Sequence, residues 1–203
     1  MDILIVLLFS YFSGSIPFGL ILTKIFQGTD VRKIGSGNIG ATNVLRTGNK
    51  VLALLTLLLD ITKGYVPVFL TIKFYPELTH LSCLVVFLGH IFPIWIKFKG
   101  GKGVATYLGI LFALSLQLSI LFIFAWMVVT LIFKYSSLSS IFASFTVFFI
   151  TLIKETALKY IADNENFSEN RIIILFIFFI LILFTHRKNI NNLKNKTEKK
   201  IKI

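Results

Sequence analysis

The sequence predicts an all-α, polytopic integral membrane protein with about seven short transmembrane helices. Three observations carry this prediction. Of the 203 residues, 56% are hydrophobic and only 15% are charged, and the mean hydropathy is +0.84. One soluble core could not bury this much apolar surface. The basic residues lie between the apolar runs and in the last stretch, 187–202, where they suit anionic lipid headgroups.

The same composition weighs against several other classes of protein. A net charge of +12 is compatible with nucleic-acid binding, but the placement of the basic residues favours a membrane surface, so no nucleic-acid partner is expected. The single cysteine, Cys83, lies in an apolar run and supports neither a disulfide nor a redox role. Three scattered histidines argue against a metal site, and no cofactor is predicted.

The first predicted element is the apolar run 1–22, whose only charge is Asp2. About 20 residues suffice to cross the hydrocarbon layer of roughly 30 Å. The run lacks the positive start and the cleavage site of a secretory signal, so we expect a retained helix that is kinked at Pro17. Basic residues crowd the next loop, which the positive-inside rule places in the cytoplasm, with the N-terminus outside.

The second predicted span, 51–72, contains two charges. Asp60 and Lys63 are three residues apart and therefore lie on one helix face. Each charge alone would cost about 2.5–3.5 kcal/mol near the bilayer centre. We therefore expect an ion pair that supports the packing near Gly64 and Pro67, and direct contact with substrate is the less favoured alternative.

A basic, glycine-rich loop follows the third predicted span. A short outer loop, 73–80, and the span 81–96 lead to residues 97–103, where three lysines and three glycines share seven positions. Glycines expose backbone N–H groups, lysines add positive charge, and the next helix presents its positive dipole end. The combination suits a phosphate oxyanion, although an ordinary basic cytoplasmic loop is the plainer alternative.

The rest of the chain has less distinct boundaries. The uncharged run 104–133 would be roughly 45 Å long as one helix, which is too long for one span and short for two. A cytoplasmic tail and an outside N-terminus require an odd number of crossings, so we predict a break near Gln117 and Ser119 and about seven spans; a five-span version has the same parity. The remaining elements are a serine-rich loop at 134–140, a span at 141–153, a polar loop at 154–170, a span at 172–185 and a basic cytoplasmic tail at 187–203, all within one membrane-embedded domain, 1–203.

A short segment rich in small and polar residues, 35–46, interrupts the hydrophobic sequence, and we call it the polar island. Its glycines allow a ligand to approach the backbone closely. Gly35, Gly37 and Gly40 fit a dinucleotide-binding fingerprint, but no strand precedes them, so we regard that match as coincidence. The island instead predicts a phosphate-bearing ligand held at a membrane surface. Its candidate side chains are Ser36, Asn38, Thr42, Asn43 and Arg46.

Three motifs together resemble those of the bacterial, membrane-integral acyl-phosphate:glycerol-3-phosphate acyltransferase family. They are the island at 36–46, the loop 100–103 after Gly-His-Ile-Phe-Pro at 89–93, and the segment 186–190 followed by Glu198. Their order and spacing are compatible with the family over nearly the whole chain. The resemblance implies transfer of a fatty acyl group from acyl phosphate to the sn-1 hydroxyl of glycerol 3-phosphate, giving lysophosphatidic acid and phosphate in phospholipid biosynthesis.

The resemblance and the residue types also imply roles for individual residues. The expected catalytic residues are Ser36, Arg46, Lys102, His186 and Asn189. The expected substrate-binding residues are Asn38, Thr42, Asn43, Gly100, Gly101, Gly103 and Ser137. The expected structural supports are Asp60, Lys63 and Glu198. The motif departs from the family at one place, because Lys196 stands where a glycine commonly precedes Thr-Glu.

The implied chemistry suits these residue types. An acyl phosphate already carries a good leaving group, so the site chiefly needs to neutralise two phosphates, orient the hydroxyl and stabilise an oxyanion. A substrate phosphate oxygen or His186 is the expected proton acceptor, and Ser36 is less attractive as a covalent nucleophile. The implied partners are acyl phosphate, glycerol 3-phosphate, the lipid bilayer and, by functional coupling, an enzyme that produces acyl phosphate. The implied location is the bacterial inner or plasma membrane, with the active site facing the cytoplasm.

Two other classes of protein compete with this interpretation. A transporter or channel for a phosphorylated metabolite would use the same glycines and charges as a gate, and predicts a site near the bilayer midplane. The polar motifs instead cluster at one predicted membrane face. A non-catalytic scaffold for lipid enzymes leaves the concentration of glycines unexplained.

Overall fold

The regular structure is helical throughout the residues described by the computed structural model, 1–162 and 169–201, which leaves out the side chains of 159–162 and 169. Short 3-10 turns lie at Val31–Lys33, Pro76–Leu78 and Ile94–Ile96. The chain forms two compact units, 1–116 and 117–203. The α-helices are α1 (Asp2–Ser15), α2 (Phe18–Gln27), α3 (Ala41–Leu45), α4 (Lys50–Phe74), α5 (Thr79–Ile91), α6 (Val104–Leu114), α7 (Leu116–Phe133), α8 (Ser136–Ala162), α9 (Glu169–Thr185) and α10 (Arg187–Lys194).

Several of these helices are long and apolar enough to cross a membrane. Within the described residues the qualifying segments are Asp2–Gln27, Lys50–Phe74, Pro76–Ile96, Leu116–Phe133 and Ser136–Leu158. The bent pair α9–α10, with an angle of 59°, adds a sixth if it forms one span, and α6 is a shorter apolar helix. The prediction of an all-α, multi-pass membrane protein is confirmed. The number of seven crossings, the orientation of the termini and the single domain stay predictions.

The expected kink at Pro17 is a complete break between two helices. α1 ends at Ser15 and α2 begins at Phe18. Proline has no N–H and its ring clashes with the preceding turn, so it can interrupt a helix, although Pro67 lies inside α4 without ending it. Despite this interruption, Asp2–Gln27 together form one apolar segment long enough to cross a membrane, and the polar island begins eight residues after Gln27.

Glycines allow the helices of the first unit to approach one another closely. α1 packs along α5, and α4 packs along α6. A Cβ on Gly14 of α1 would collide with the backbone of Val86 in α5, and a Cβ on Gly64 or Gly109 would collide with the opposite backbone in the α4–α6 pair. Small residues at crossings are the usual way in which membrane helices gain van der Waals contact.

The ion pair predicted in α4 is present and buried. Oδ1 of Asp60 lies 2.7 Å from Nζ of Lys63, and each side chain is 3% exposed. Lys63 Nζ also donates a hydrogen bond of 2.7 Å to the backbone carbonyl of Ile16. The pair therefore ties α4 to the point where α1 and α2 separate.

The uncharged run is divided, as expected, but the break lies at Ser115 instead of at Gln117–Ser119. α6 ends at Leu114 and α7 begins at Leu116. Ser115 has an extended backbone with φ −168°, while its N–H still bonds to the carbonyl of Leu111. A single residue in the extended conformation is enough to interrupt the helical ladder, which no composition signal marks in an apolar run.

Two predicted loops in the second unit are wrong. The serine-rich loop at 134–140 is largely helical, because α8 begins at Ser136 and the hydroxyls of Ser139 and Ser140 donate to carbonyls four residues earlier. The polar loop at 154–170 is helical as far as Ala162, and 163–168 lie outside the described residues. Polarity there reflects an ion pair, since buried Glu155 accepts a hydrogen bond of 3.0 Å from Arg171 of α9.

Candidate active site

Asn43 organises the polar island from within. Its Oδ1 accepts hydrogen bonds from the backbone N–H of Ser36 at 2.9 Å and from the Ser36 hydroxyl at 3.2 Å. Its Nδ2 donates to the carbonyls of Val31, Ile34 and Asn38 at 2.9, 3.0 and 2.7 Å. Asn43 is 2% exposed. Its buried side-chain amide therefore holds the surrounding backbone of residues 31–38 together. Direct binding of substrate by Asn43 stays a prediction.

Left-handed glycines bring Ser36 and Arg46 to the same short loop. Gly35 has φ +59° and Gly37 has φ +72°, a region that glycine enters at little cost. A Cβ on Gly35 would collide with Asn43 Oδ1 and with the Arg46 side chain, which folds back over this glycine. The exposed Ser36 hydroxyl and the half-buried Arg46 guanidinium are therefore held beside one backbone turn.

Asp30 is the acidic residue nearest to the island in sequence, and an ion pair with Arg32 balances its negative charge. Asp30 caps the turn at Val31–Lys33 and lies 2.6 Å from the Arg32 guanidinium. Hydrogen bonds from Arg32 hold the pKa of Asp30 at about 2, so the carboxylate is ionised at neutral pH. Because Arg32 balances its charge, Asp30 does little to repel an anion at the island.

The island and the basic, glycine-rich loop share an apolar support. Buried side chains of the island and its neighbours form one cluster with α2 and α4, and Ile96 packs against it. Ile96 ends the turn that directly precedes residues 97–103, which we call the glycine loop. The cluster thus anchors both motifs of the first unit. Its buried members are Leu20, Val31, Ile39, Val44, Leu52 and Ala53.

The glycine loop has the geometry of an anion cradle. The N–H groups of Gly100 and Gly101 bond back to the carbonyls of Ile91 and His90 at 3.0 and 3.1 Å. Gly103, with φ +84°, forms the N-cap of α6. The first-turn N–H groups of α6, which have no partner within the helix, therefore open onto the loop together with the positive end of the helix dipole. Lys102 is half-buried between these glycines and adds a positive charge.

A second cluster forms within the second unit around Glu198. Its Oε1 accepts hydrogen bonds from the Ser137 hydroxyl at 2.8 Å and from Asn189 Nδ2 at 2.7 Å, and its Oε2 accepts one from Asn192 Nδ2 at 3.3 Å. The tail is thereby tied to α8 and α10. Lys196 adopts φ +58°, the left-handed conformation that a glycine supplies more cheaply. The departure from the family motif therefore leaves the backbone turn in place.

His186 lies at the bend between α9 and α10. Its Nδ1 is 2.8 Å from the carbonyl oxygen of Ile182. A carbonyl can only accept, so Nδ1 carries a proton, and whenever the imidazole is neutral its lone pair lies on Nε2. This tautomer is the one that a general base using Nε2 requires.

The structure places the predicted site residues in two sets, one in each unit. Sequence reasoning did not single out His90, whose ring lies directly against Gly101 of the glycine loop. Among the described residues, no group of three or more histidine, cysteine or acidic side chains could hold a metal ion. The first set is Ser36, Asn38, Thr42, Asn43, Arg46, Gly100, Gly101, Lys102 and Gly103. The second set is Ser137, His186, Asn189 and Glu198.

Replacing Asn43 by leucine should open the polar island. The substitution leaves the Ser36 N–H and three carbonyls without their partner, at a cost of about 1–3 kcal/mol for such a buried polar group. We expect trypsin to cleave the detergent-purified variant faster than the parent at Arg32 and Arg46. The control is Asn191→Leu, the same substitution at an exposed position in α10. Equal cleavage rates in both variants would contradict the role assigned to Asn43.

The fold and the first set of residues define a class of protein. The chain is a multi-pass helical membrane protein in which two glycine-rich segments carry the cationic side chains Arg46 and Lys102. Comparison with known proteins identifies the family.

Residues 4–196 match the family model described as glycerol-3-phosphate acyltransferase. The chain is 55% identical over 204 residues to the glycerol-3-phosphate acyltransferase of Pelagibacter ubique, covering 100% of both chains. It is 48% identical over 200 residues to that of Mesorhizobium japonicum, covering 98% of this chain and 96% of the relative. The chain belongs to the glycerol-3-phosphate acyltransferase family.

Solved structures agree with this assignment. The glycerol 3-phosphate form of PlsY (YgiH), an integral membrane glycerol 3-phosphate acyltransferase, is 33% identical with a TM-score of 0.90, over 100% of this chain and 96% of that chain. Its lysophosphatidic acid form gives 32% identity and a TM-score of 0.87, with the same coverage. The resemblance inferred from the three motifs is confirmed, and the transporter alternative finds no support.

Proposed function

We propose that this protein transfers a fatty acyl group from acyl phosphate to the sn-1 hydroxyl of glycerol 3-phosphate, forming lysophosphatidic acid and inorganic phosphate. The observation that carries the proposal is the pair of cationic glycine-rich segments on one apolar support, in a chain of this family. The related PlsY was solved in glycerol 3-phosphate and lysophosphatidic acid forms. These two molecules differ by one acyl group, which is the group that the proposed reaction transfers.

The glycine loop is assigned to the phosphate of glycerol 3-phosphate. That phosphate carries up to two negative charges and accepts several hydrogen bonds. The first-turn N–H groups of α6 and the Lys102 ammonium supply donors and positive charge at one place. Binding of the phosphate here would hold the glycerol hydroxyls at a fixed distance from the loop, which is the orientation that a transfer reaction needs.

The polar island is assigned to the acyl phosphate. Arg46 presents a planar guanidinium that can bind two phosphate oxygens at once, and the adjacent Ser36 hydroxyl adds a short hydrogen bond. As the sn-1 oxygen attacks the acyl carbon, the bond from that carbon to the phosphate oxygen breaks and phosphate leaves with the electron pair. Negative charge grows on the leaving phosphate, so Arg46 stabilises the transition state more than the ground state.

The hydroxyl proton must leave as the ester forms. A phosphate oxygen of a substrate is one acceptor, and His186, with its lone pair on Nε2, is the other. In the second unit, the roles of His186, Asn189 and Ser137 rest on the resemblance of their motif to the family. Glu198 holds the last two by hydrogen bonds and is assigned to support.

The proposed setting is the inner or plasma membrane of a bacterium, with the active site facing the cytoplasm. The concentration of basic residues in the loop around the island, in the glycine loop and in the tail supports that orientation through the positive-inside rule. An acyl phosphate is a reactive mixed anhydride, so functional coupling to an enzyme that produces it belongs to the proposal.

Acyl transfer by the detergent-purified protein tests the proposal. Labelled glycerol 3-phosphate is supplied with palmitoyl phosphate, with palmitoyl-CoA or with no donor, and the lipid product is separated and counted. Of the three conditions, we expect only the one with palmitoyl phosphate to form labelled lysophosphatidic acid. Product from palmitoyl-CoA would assign a different donor, and no product from any donor would refute the proposed reaction.

A further inference from the structure

His90 is a buried histidine at the end of α5 that the proposed reaction does not use. It is 3% exposed, and it directly precedes the turn that leads to the glycine loop. A buried imidazole is costly unless its nitrogens are hydrogen-bonded, so its neighbours indicate why it is there.

The imidazole is held on one side by α6. Its Nδ1 lies 3.1 Å from the hydroxyl of Thr106, which is fully buried in the first turn of that helix. The same nitrogen is 4.0 Å from Oδ1 of Asp60, the acid of the buried ion pair in α4. A polar cluster of three helices therefore fixes the position of the ring.

The other side of the imidazole faces the glycine loop. A Cβ on Gly101 would collide with Nε2 and the adjoining ring carbons of His90, so this glycine lies directly against the ring. The backbone carbonyl of His90 also accepts the Gly101 N–H at 3.1 Å. Ring and backbone of one residue thus contact Gly101, and the next residue in the chain is Lys102.

We propose that His90 is a positioning residue, which sets the conformation of the glycine loop and hence the place of Lys102, and that its hydrogen bond to Thr106 sets the position of its ring. This inference rests on the proposed function, because it assigns the loop to the phosphate of glycerol 3-phosphate. His90 itself has no contact with substrate in this scheme. His90 affects the reaction only through its contact with Gly101, and we expect this effect to change the affinity for glycerol 3-phosphate.

The matched pair Thr106→Val and Thr106→Ser tests the proposal. Valine keeps the shape of threonine and removes the hydroxyl, whereas serine keeps the hydroxyl that bonds to His90. The loss of one hydrogen bond of about 1 kcal/mol corresponds to roughly a fivefold effect. We expect Thr106→Val to raise KM for glycerol 3-phosphate about fivefold, while kcat and KM for acyl phosphate stay within about twofold of the parent. Thr106→Ser should restore the parent values.

Hydrogen exchange provides a readout that does not depend on activity. The peptide covering 97–103 should exchange faster in Thr106→Val than in Thr106→Ser, while peptides from the middle of α5 exchange equally in the two. A variant with a larger change, His90→Leu, should show the same pattern more strongly. Faster exchange throughout the first unit, or a fall in kcat with KM unchanged, would indicate a general structural role and overturn the positioning role.

The two readouts separate failure of the inference from failure of the proposed function. If the parent protein makes no lysophosphatidic acid from any donor, the proposed reaction is refuted. The exchange comparison then decides the inference by itself, and equal exchange at 97–103 in Thr106→Val and Thr106→Ser would overturn it.

Discussion

Replacing Arg46 by alanine is expected to lower kcat/KM for acyl transfer at least 100-fold. Removal of one donor that stabilises developing charge typically costs about 10²–10³ in rate. The side chain of Arg46 lies over Gly35, next to Ser36 in the chain. We assign its guanidinium to the leaving phosphate. The measurement is the initial rate at varied palmitoyl phosphate, with binding and turnover separated by the KM and kcat values.

Lysine substitutions provide a matched comparison for Arg46. Arg46→Lys keeps the charge but loses the planar, bidentate donor, so we expect an activity between those of the parent and of Arg46→Ala. Arg32→Lys makes the same change on an arginine that pairs with Asp30 outside the proposed contact, and it should stay within about twofold of the parent. Equal losses of activity in the two lysine variants would contradict a specific role for the guanidinium of Arg46.

Much of the first unit could be predicted from the sequence because its signals are local. Hydropathy marks α4, proline marks the break at Pro17, and an i,i+3 acid–base pair in an apolar run requires a partner. Glycine density also marked both segments that we propose to bind phosphate. What could not be predicted is how a segment closes on itself. Asn43 was assigned to substrate by its residue type, yet the five side-chain hydrogen bonds described for it go to the island and to the residues just before it, Val31 and Ile34.

The second unit was harder to predict because its polar residues are satisfied within helices. A serine cluster normally indicates a loop, but Ser139 and Ser140 bond to carbonyls one turn earlier and allow α8 to begin at Ser136. The contacts of Ser137 with Glu198 join residues 61 positions apart, which no periodicity reveals. His90 lies in the Gly-His-Ile-Phe-Pro segment that the motif included, but its contacts with Thr106 and Gly101 depend on how α5, α6 and the glycine loop pack, which no local pattern reveals.

Asp30 and Arg32 form an exposed ion pair that serves as a reference for the buried pair in α4. Hydrogen bonding to Arg32 lowers the pKa of Asp30 to about 2. A lowered pKa means that the contribution to stability is fully present above the unfolded pKa of about 4 and is lost as the pH falls through about 2. The side chains are 38% and 19% exposed for Arg32 and Asp30, so the pair is expected to contribute less than about 1 kcal/mol.

Replacing Lys63 by methionine is expected to destabilise the protein by about 3–5 kcal/mol, because it leaves the Asp60 carboxylate buried without its cation. The Ile16 carbonyl at the α1–α2 break loses its donor as well. The measurement is the midpoint of thermal unfolding in detergent at neutral pH. Arg32→Met, which makes an equivalent change in the exposed pair, should shift the midpoint much less.

The double variant Asp60→Leu, Lys63→Met distinguishes two causes of destabilisation: loss of the contacts of Lys63, and burial of an unpaired Asp60 carboxylate. If the cost of Lys63→Met comes from burying an unpaired carboxylate, removing that carboxylate too should recover part of the stability, so the double variant should melt above Lys63→Met. The recovery should be incomplete, because the methionine cannot donate to Ile16 and the leucine cannot interact with His90. A double variant that melts below Lys63→Met would show that the two residues act through separate contacts, and the ion pair would then not be the unit that holds α4 to the α1–α2 junction.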